Sequence, residues 1–448
     1  MIKVVFYGVG DYLRRHWHEL KVEYHPVALC DENQLKQGYS EEYSLEVMSL
    51  EKVELKYPGA FFYVSIKNGV NGRRLEIIDS LINKGITKDR ILNYENYYNG
   101  YGCPLASTGL FFHHDRIMNC CENPEICNAP FATYEGDNTL NLVYDMKTKV
   151  MENVSRFEIL RTPKTGHSKL YEKNSNGQWE YTIGDSDNRN RSAYCKHCHE
   201  IKKGYYSKEH FVIDYMQVAA NSDSVCNFKC PYCCEAMPGY VPKHDSIVTA
   251  NIINTLRLLK TSRDRIEFND DGVHFCIATG EPALWKDFDK VMEEVPKAYY
   301  QVLSNASIYS DSIERAIANG ELVMSLDSGT RETFKKVKGL DCFDKVLENL
   351  KKYRKHGSIV PKFIIQPGVN DNEKDVQGFV NFCKEIDPLR VEVVRDWMIP
   401  DFDYDDIHYS DKTMRAVAML FTELEKAGVN VRPVVFPNNY KEKLQRYL

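Results

Sequence analysis

The chain has 448 residues, 43% of them hydrophobic and 27% charged, with 64 acidic against 58 basic side chains and a formal net charge of −6. That supply of apolar residues suffices for the ordinary buried cores of about two to four domains, and the slightly acidic balance argues against a broad nucleic-acid-binding surface, so no nucleic-acid partner is expected. The apolar runs are strand-sized, well short of the ~18 residues of a membrane span.

Met1 to Gly8 runs directly into a strand pattern, with none of the regions of a signal peptide, so a cytoplasmic location is expected. Residues 1–100 read as a small α/β unit. Apolar strands at Ile2 to Tyr7, Pro26 to Cys30 and Ala60 to Ser65 precede a helical stretch, Arg73 to Lys84. Gly8-Val9-Gly10 after the first strand and Asp31 after the second make a partial dinucleotide fingerprint, with Leu13 where a third glycine would stand. The Tyr- and Gly-rich stretch Tyr94 to Gly102 reads as a linker. Residues 101–205 read as a cysteine-rich segment: a hairpin pattern (Leu110 to Phe112, a turn at His114-Asp115, Ile117-Met118), a helical or extended middle (Leu142 to Leu160) and a polar loop (Lys164 to Ser192). From 206 to 448, strand patterns near 214–220, 272–278, 299–304, 322–327, 359–366 and 390–396 alternate with helical ones, most clearly 248–260, 342–355, 373–386 and 411–427. Six such units in series predict a partial (β/α)6 barrel of the TIM type, whose chemistry sits on loops after the strands' C-terminal ends.

The 14 cysteines cluster. In a reducing compartment clustered thiols bind metal or do redox work rather than form disulfides. After the first barrel strand the chain reads Cys226-Asn227-Phe228-Lys229-Cys230-Pro231-Tyr232-Cys233. Three thiolates in one loop can hold three irons of a 4Fe–4S cluster and leave the fourth open; a zinc site completed by a distant ligand is the alternative.

This C-x-x-x-C-x-aromatic-C segment, with Tyr232 at the aromatic position, resembles the radical S-adenosylmethionine (radical SAM) superfamily. The resemblance implies a partial barrel over about residues 210 to 440, a 4Fe–4S cluster on Cys226, Cys230 and Cys233, and SAM chelating the open iron. It further implies reductive cleavage of SAM to a 5′-deoxyadenosyl radical, and a reducing partner such as flavodoxin or ferredoxin. Ala278-Thr279-Gly280-Glu281-Pro282 is similar to the family's G-G-E-P loop, which holds the SAM amino group. Ser304 and Asn305 stand where the family often contacts SAM. Ser325 and Asp327 resemble its S-x-D segment, and Asn370 lies in a P-x-x-N-D turn expected on the adenine side.

Upstream, Cys103 and Cys120 flank the hairpin and Cys195-Lys196-His197-Cys198 follows. This set resembles the SPASM and twitch extensions of the superfamily, which bind an auxiliary 4Fe–4S cluster, although here it precedes the barrel. Cys121 and Cys127 are alternative ligands, and a structural four-cysteine zinc site is the competing assignment. The N-terminal unit resembles Rossmann-like domains attached to envelope-sugar and nucleotide-sugar enzymes. The expected activity is therefore hydrogen abstraction from a carbohydrate or nucleotide-sugar, leading to dehydrogenation, epimerisation or dehydration. A SPASM-type maturase with a peptide substrate is the alternative, followed by a non-catalytic iron–sulfur scaffold or sensor. Arg395, Asp396 and Glu235 are further candidates to face the cavity.

Overall fold

The computed structural model describes the chain except residues 1, 67–71, 114–115, 119–137, 156–170, 174–178, 182–201, 219–224, 231, 234–245, 263–264, 271, 279, 397–405, 435, 438 and 448. Cys120, Cys121, Cys127, Cys195, Cys198, Cys234, Thr279 and Glu235 thus lie outside the described residues.

The N-terminal unit is a five-stranded sheet of β1 (Val4–Tyr7), β2 (Ala28–Cys30), β3 (Gly38–Ser40), β4 (Leu45–Met48) and β5 (Phe61–Val64), in the order β3-β4-β2-β1-β5. The strands from β4 to β5 are parallel, and only the edge strand β3 runs antiparallel. Helices Asp11–Tyr24 and Leu50–Lys56 connect them, and helix Arg73–Asn83 follows β5. The short β3 and β4 are absent from the sequence reading, because Gly38–Ser40 is exposed and carries no apolar run. Gly8 adopts φ +101°, and a Cβ there would meet Ile66 Cγ1 at 2.7 Å, so glycine is required at this turn. Asp31 faces its own loop: Oδ2 accepts Val9 N at 3.0 Å and Lys36 Nζ at 3.2 Å. Leu13, fully buried, packs beneath the sheet with Val4 and Phe6 instead of offering a third glycine.

Tyr97–Gly102, expected as a linker, is strand β6. It pairs antiparallel with β11 (Lys202–Ser207), Gly102 opposite Lys202, and Tyr98 stacks on Tyr206 with ring centroids 5.6 Å apart. The hairpin is present as β7 (Gly109–His113) and β8 (Arg116–Met118). It extends the barrel sheet, because the fully buried Leu110 and Phe112 need a packed partner and find it beside β13 (Tyr215–Val218). The middle segment is a helix, Asn138–Ser155, and part of the expected polar loop forms a short antiparallel pair, β9 (Tyr171–Lys173) and β10 (Trp179–Tyr181).

The large sheet has nine strands. β15 (His274–Ile277), β16 (Tyr299–Leu303), β17 (Gly320–Ser325), β18 (Ser358–Ile365), β19 (Val391–Arg395) and β20 (Val431–Val434) follow β13 in order, all parallel, with β7 and β8 on the other edge. This is the partial barrel, with β20 added at one end of the six expected units and the two strands β7 and β8 at the other. A smaller parallel pair, β12 (Phe211–Ile213) with β14 (Ile266–Phe268), lies outside it. Side chains alternate across each strand. On β18, Ile359, Phe363 and Ile365 enter the sheet–helix core, leaving Lys362 and Ile364 on the opposite, lumen face. Helix Phe343–Tyr353 places Phe343, Val346, Leu350 and Tyr353 on one buried face, the spacing of an amphipathic helix. Gly329 and Gly378 let two segments meet at backbone distance; a Cβ on Gly329 would lie 2.0 Å from Asp375 O.

Candidate functional site at the barrel mouth

The three-thiol loop leaves the C-terminal end of β13, and neighbouring strand ends fasten it. From the β15 side, Glu281 N donates to Val225 O at 2.9 Å. Gly280 turns that loop with φ +33°, and buried Pro282 opens a single 3-10 turn that Glu281 caps through Ala283 N. The Glu281 carboxylate, 2% exposed, accepts Ala283 N (3.0 Å), Ser304 Oγ (2.8 Å) and Asn305 N (2.7 Å). Burial pushes its carboxyl above the usual range, against the pull of those three donors. Glu281 thus ties the loop after β15 to the residues ending β16.

Asn305 reaches the thiol loop itself. Its Nδ2 donates to Asn227 Oδ1 at 2.8 Å and lies 3.7 Å from Cys226 Sγ, which also accepts Phe228 N at 3.4 Å. Donors aimed at a sulfur favour its thiolate form.

The far side of the loop is held by a buried polar knot. Lys338 Nζ lies 2.6 Å from Asp327 Oδ2, with the two side chains 3% and 0% exposed. The Tyr232 hydroxyl donates to the same Asp327 oxygen and accepts from Lys338. Burial and the Asp327 carboxylate push the Tyr232 phenol well above its ordinary value. Burial also raises the Cys230 thiol, an effect the Lys338 charge opposes. Asp327 sits in the left-handed region at φ +58°, a conformation Asp tolerates better than most residues, and its Oδ1 accepts Ile364 N at 2.7 Å. Asn370, fully buried, closes the knot: its Nδ2 donates to Asp327 O and Ile364 O, each at 2.8 Å, and its Oδ1 accepts Gln366 N at 2.8 Å.

Helix Arg331–Lys338 is the platform under the loop. Phe228 meets Phe334 edge-on with centroids 6.0 Å apart, and Lys229 N lies 3.4 Å from Lys338 O. Lys338 is the residue that sequence reasoning missed; a lysine ending a basic last turn reads as a solvated helix end.

The sequence-selected residues after β13, β15, β16, β17 and β18 therefore meet at one mouth. The expected SAM contacts of Glu281, Asp327 and Asn370 now compete with intramolecular bonds, whereas Ser325 ends β17 half-buried beside Lys362 in register. Arg395, 1% exposed at the end of β19, has its guanidinium 5.9 Å from the Tyr409 ring centroid. Of the upstream thiols, Cys103 is described: it is 7% exposed and caps helix Pro104–Thr108, its Sγ accepting Ala106 N at 3.4 Å.

The donor set fits an iron–sulfur cluster in chemistry: three thiols on one short loop, partly exposed, with hydrogen-bond donors at Cys226. They share a loop rather than a point, and among the described residues no group of three or more Cys, His, Asp or Glu is drawn together as a metal site. Among the described residues, no helix is long and apolar enough to cross a membrane.

The chain is similar to known proteins over part of its length. GTP 3′,8-cyclase of Aliarcobacter butzleri is 28% identical over 180 residues, which cover 38% of this chain and 52% of that enzyme. GTP 3′,8-cyclase of Psychromonas ingrahamii is 26% identical over 189 residues, 38% of this chain and 49% of that enzyme. The chain spans about half the length of these relatives. The crystal structure of Streptococcus suis SuiB bound to S-adenosylmethionine aligns with a TM-score of 0.38 at 15% identity, covering 56% of this chain and 57% of that one. Residues 223–383, which carry the thiol loop and the strand ends that hold it, match the Radical SAM superfamily model, so this segment is a radical SAM domain, a family whose cofactors are a 4Fe–4S cluster and SAM.

Proposed function

We propose that the chain abstracts hydrogen from a nucleotide or nucleotide-linked sugar after reductive cleavage of SAM. The observation that carries this reading is the fastening of the Cys226–Cys233 loop by Glu281, Asn305 and Asp327 from three successive strand ends. Such a loop is held before any cofactor arrives, so binding has less conformational entropy to overcome. The bound cluster supplies the electron for SAM cleavage, and Cys226, Cys230 and Cys233 would hold it. Asn305 steadies the Cys226 sulfur. Tyr232, Lys338 and Asp327 fix the turn carrying Cys230 and Cys233, and Glu281 aligns Ser304 and Asn305 rather than acting alone. Ser325, at the end of β17, presents a hydroxyl toward the mouth. The relatives' names support the substrate class, since they are named for a reaction of GTP.

Cys103, Cys120, Cys195 and Cys198 form, in this reading, an auxiliary iron–sulfur site. The β6–β11 ladder supports it: Gly102 lies opposite Lys202, so the chain just past Cys198 returns beside Cys103.

The test is anaerobic incubation of reconstituted, dithionite-reduced protein with SAM. The expected products are 5′-deoxyadenosine and methionine, made slowly without substrate and faster with one. Cys230→Ala should abolish them, and Glu281→Ala should weaken SAM binding. No 5′-deoxyadenosine at saturating SAM, with or without candidate substrates, would sink the proposal.

A further inference from the structure

The lumen beneath the mouth holds a cation that no described residue neutralises. Lys362 sits mid-strand on β18, half-buried, on the face opposite the sheet–helix core. Its registered neighbours are Ser325 on β17 and Glu392 on β19. Glu392 is already engaged by Arg390 (3.2 Å) and Arg432 (3.5 Å). Arg390 in turn grips Glu321 with both nitrogens, at 2.6 and 2.8 Å, and Gln301 and Tyr299 complete that carboxylate's shell. This network, near the N-terminal ends of the strands, engages both Glu321 and Glu392. Among the described residues no hydrogen bond or ion pair engages Lys362 Nζ. Its positive charge nonetheless acts on the Cys276 thiol three strands away, lowering a value that burial has pushed up to about 12, as a side chain directed into the lumen would.

A second orphan stands above it on the same strand line. Gln366, one strand repeat beyond Ile364, is 8% exposed, and its Nε2 is buried with no hydrogen-bond partner. A buried amide N–H without an acceptor costs free energy in the ligand-free protein, and an oxygen-bearing ligand removes that cost. The ammonium below, the amide above and the Ser325 hydroxyl alongside are all donors.

We infer that Lys362 and Gln366 form the receptor for a phosphate group of the substrate, Lys362 pairing with its charge and Gln366 donating to a neighbouring oxygen. This deepens the nucleotide reading of the same barrel and rests on it for the substrate class. A lone ammonium suits phosphate as a point charge. The rival source of an oxyanion at this height is the carboxylate of SAM itself.

The experiment is calorimetric titration of the reconstituted full-length protein with inorganic pyrophosphate and, separately, with SAM. Lys362→Met should fold normally, because no partner is orphaned by the change; circular dichroism verifies this. The expected result is pyrophosphate binding by the wild type, a loss of about tenfold or more in Lys362→Met, a smaller loss in Gln366→Leu and most of the affinity retained in Lys362→Arg. SAM affinity of Lys362→Met should stay within about twofold of the wild type. Undiminished pyrophosphate binding in Lys362→Met, or none in the wild type, overturns the inference. A parallel loss of SAM affinity overturns it too, by assigning Lys362 to the SAM carboxylate. The calorimetry does not depend on turnover, so failure to make 5′-deoxyadenosine would count against the functional reading alone.

Discussion

Replacing Lys338 by Met tests whether the thiol loop is held in advance. Met matches the length of the lysine stem but donates no hydrogen bond, so Asp327 Oδ2 would keep only the Tyr232 hydroxyl. Both members of the pair are buried, 3% and 0% exposed, and solvent cannot compensate. Breaking a buried ion pair by removing one partner costs about 3–5 kcal/mol. At about 2–4 °C per kcal/mol for a domain of this size, the barrel should melt some 6–20 °C earlier. Lys338→Arg keeps the charge and should recover part of that loss. The assay combines calorimetric melting with hydrogen exchange of residues 226–233 in metal-free protein, where the backbone should exchange faster in the Met variant. The cycle with Asp327→Asn should show strong coupling, because the two residues meet directly. A Met variant melting within about 1 °C of the wild type, with unchanged exchange in the loop, would refute the argument.

Two further outcomes are expected. Reconstituted protein should hold about eight irons, and changing Cys226, Cys230 and Cys233 together to Ala should remove about four; zinc alongside only four irons would sink the auxiliary-cluster proposal and spare the radical mechanism. Lys147 is fully buried and donates to Ala106 O (2.8 Å) and Gly109 O (2.7 Å), and burial lowers its pKa from 10.5 to about 7. Across that window the unfolded chain binds a proton that the folded chain does not, so stability should rise with pH between those values, by up to about 1.4 kcal/mol per unit. Lys147→Met should flatten that component in melts taken from about pH 7 to 9.5, and identical slopes in the two proteins would contradict it.

How far the sequence could be read depended on the range of the interaction. The thiol loop is a local pattern, and the six central strands are apolar runs whose two faces are both covered, so both were visible. Helices Phe288–Glu294, Asp311–Ile317 and Arg331–Lys338 are only seven or eight residues long and give little periodicity. Strand β20, Val-Arg-Pro-Val, contains a proline and an arginine and does not read as barrel wall. Glu281, Asp327 and Asn370 could be picked from the sequence as candidates, but their internal partners could not. Asp327 meets Lys338 and Tyr232 only because helix Arg331–Lys338 and the thiol loop converge on the end of β17. The same holds for Lys362, whose isolation depends on Arg390, just before β19, and Arg432 of β20 occupying Glu392.

The position of β7 bears on how this protein can be cut. A fragment starting at residue 206 would keep the barrel strands from β13 onward, yet lose the wall that shields one side of it. Met216 and Val218, both fully buried, would then lie on a bare strand whose amide and carbonyl row is now matched by Gly109 to Phe112. An unprotected, apolar border of that kind invites pairing with other molecules and aggregation. Fragments intended for crystallisation or expression should therefore begin before Tyr97, so that β6, β11 and the β7–β8 hairpin travel with the barrel they seal.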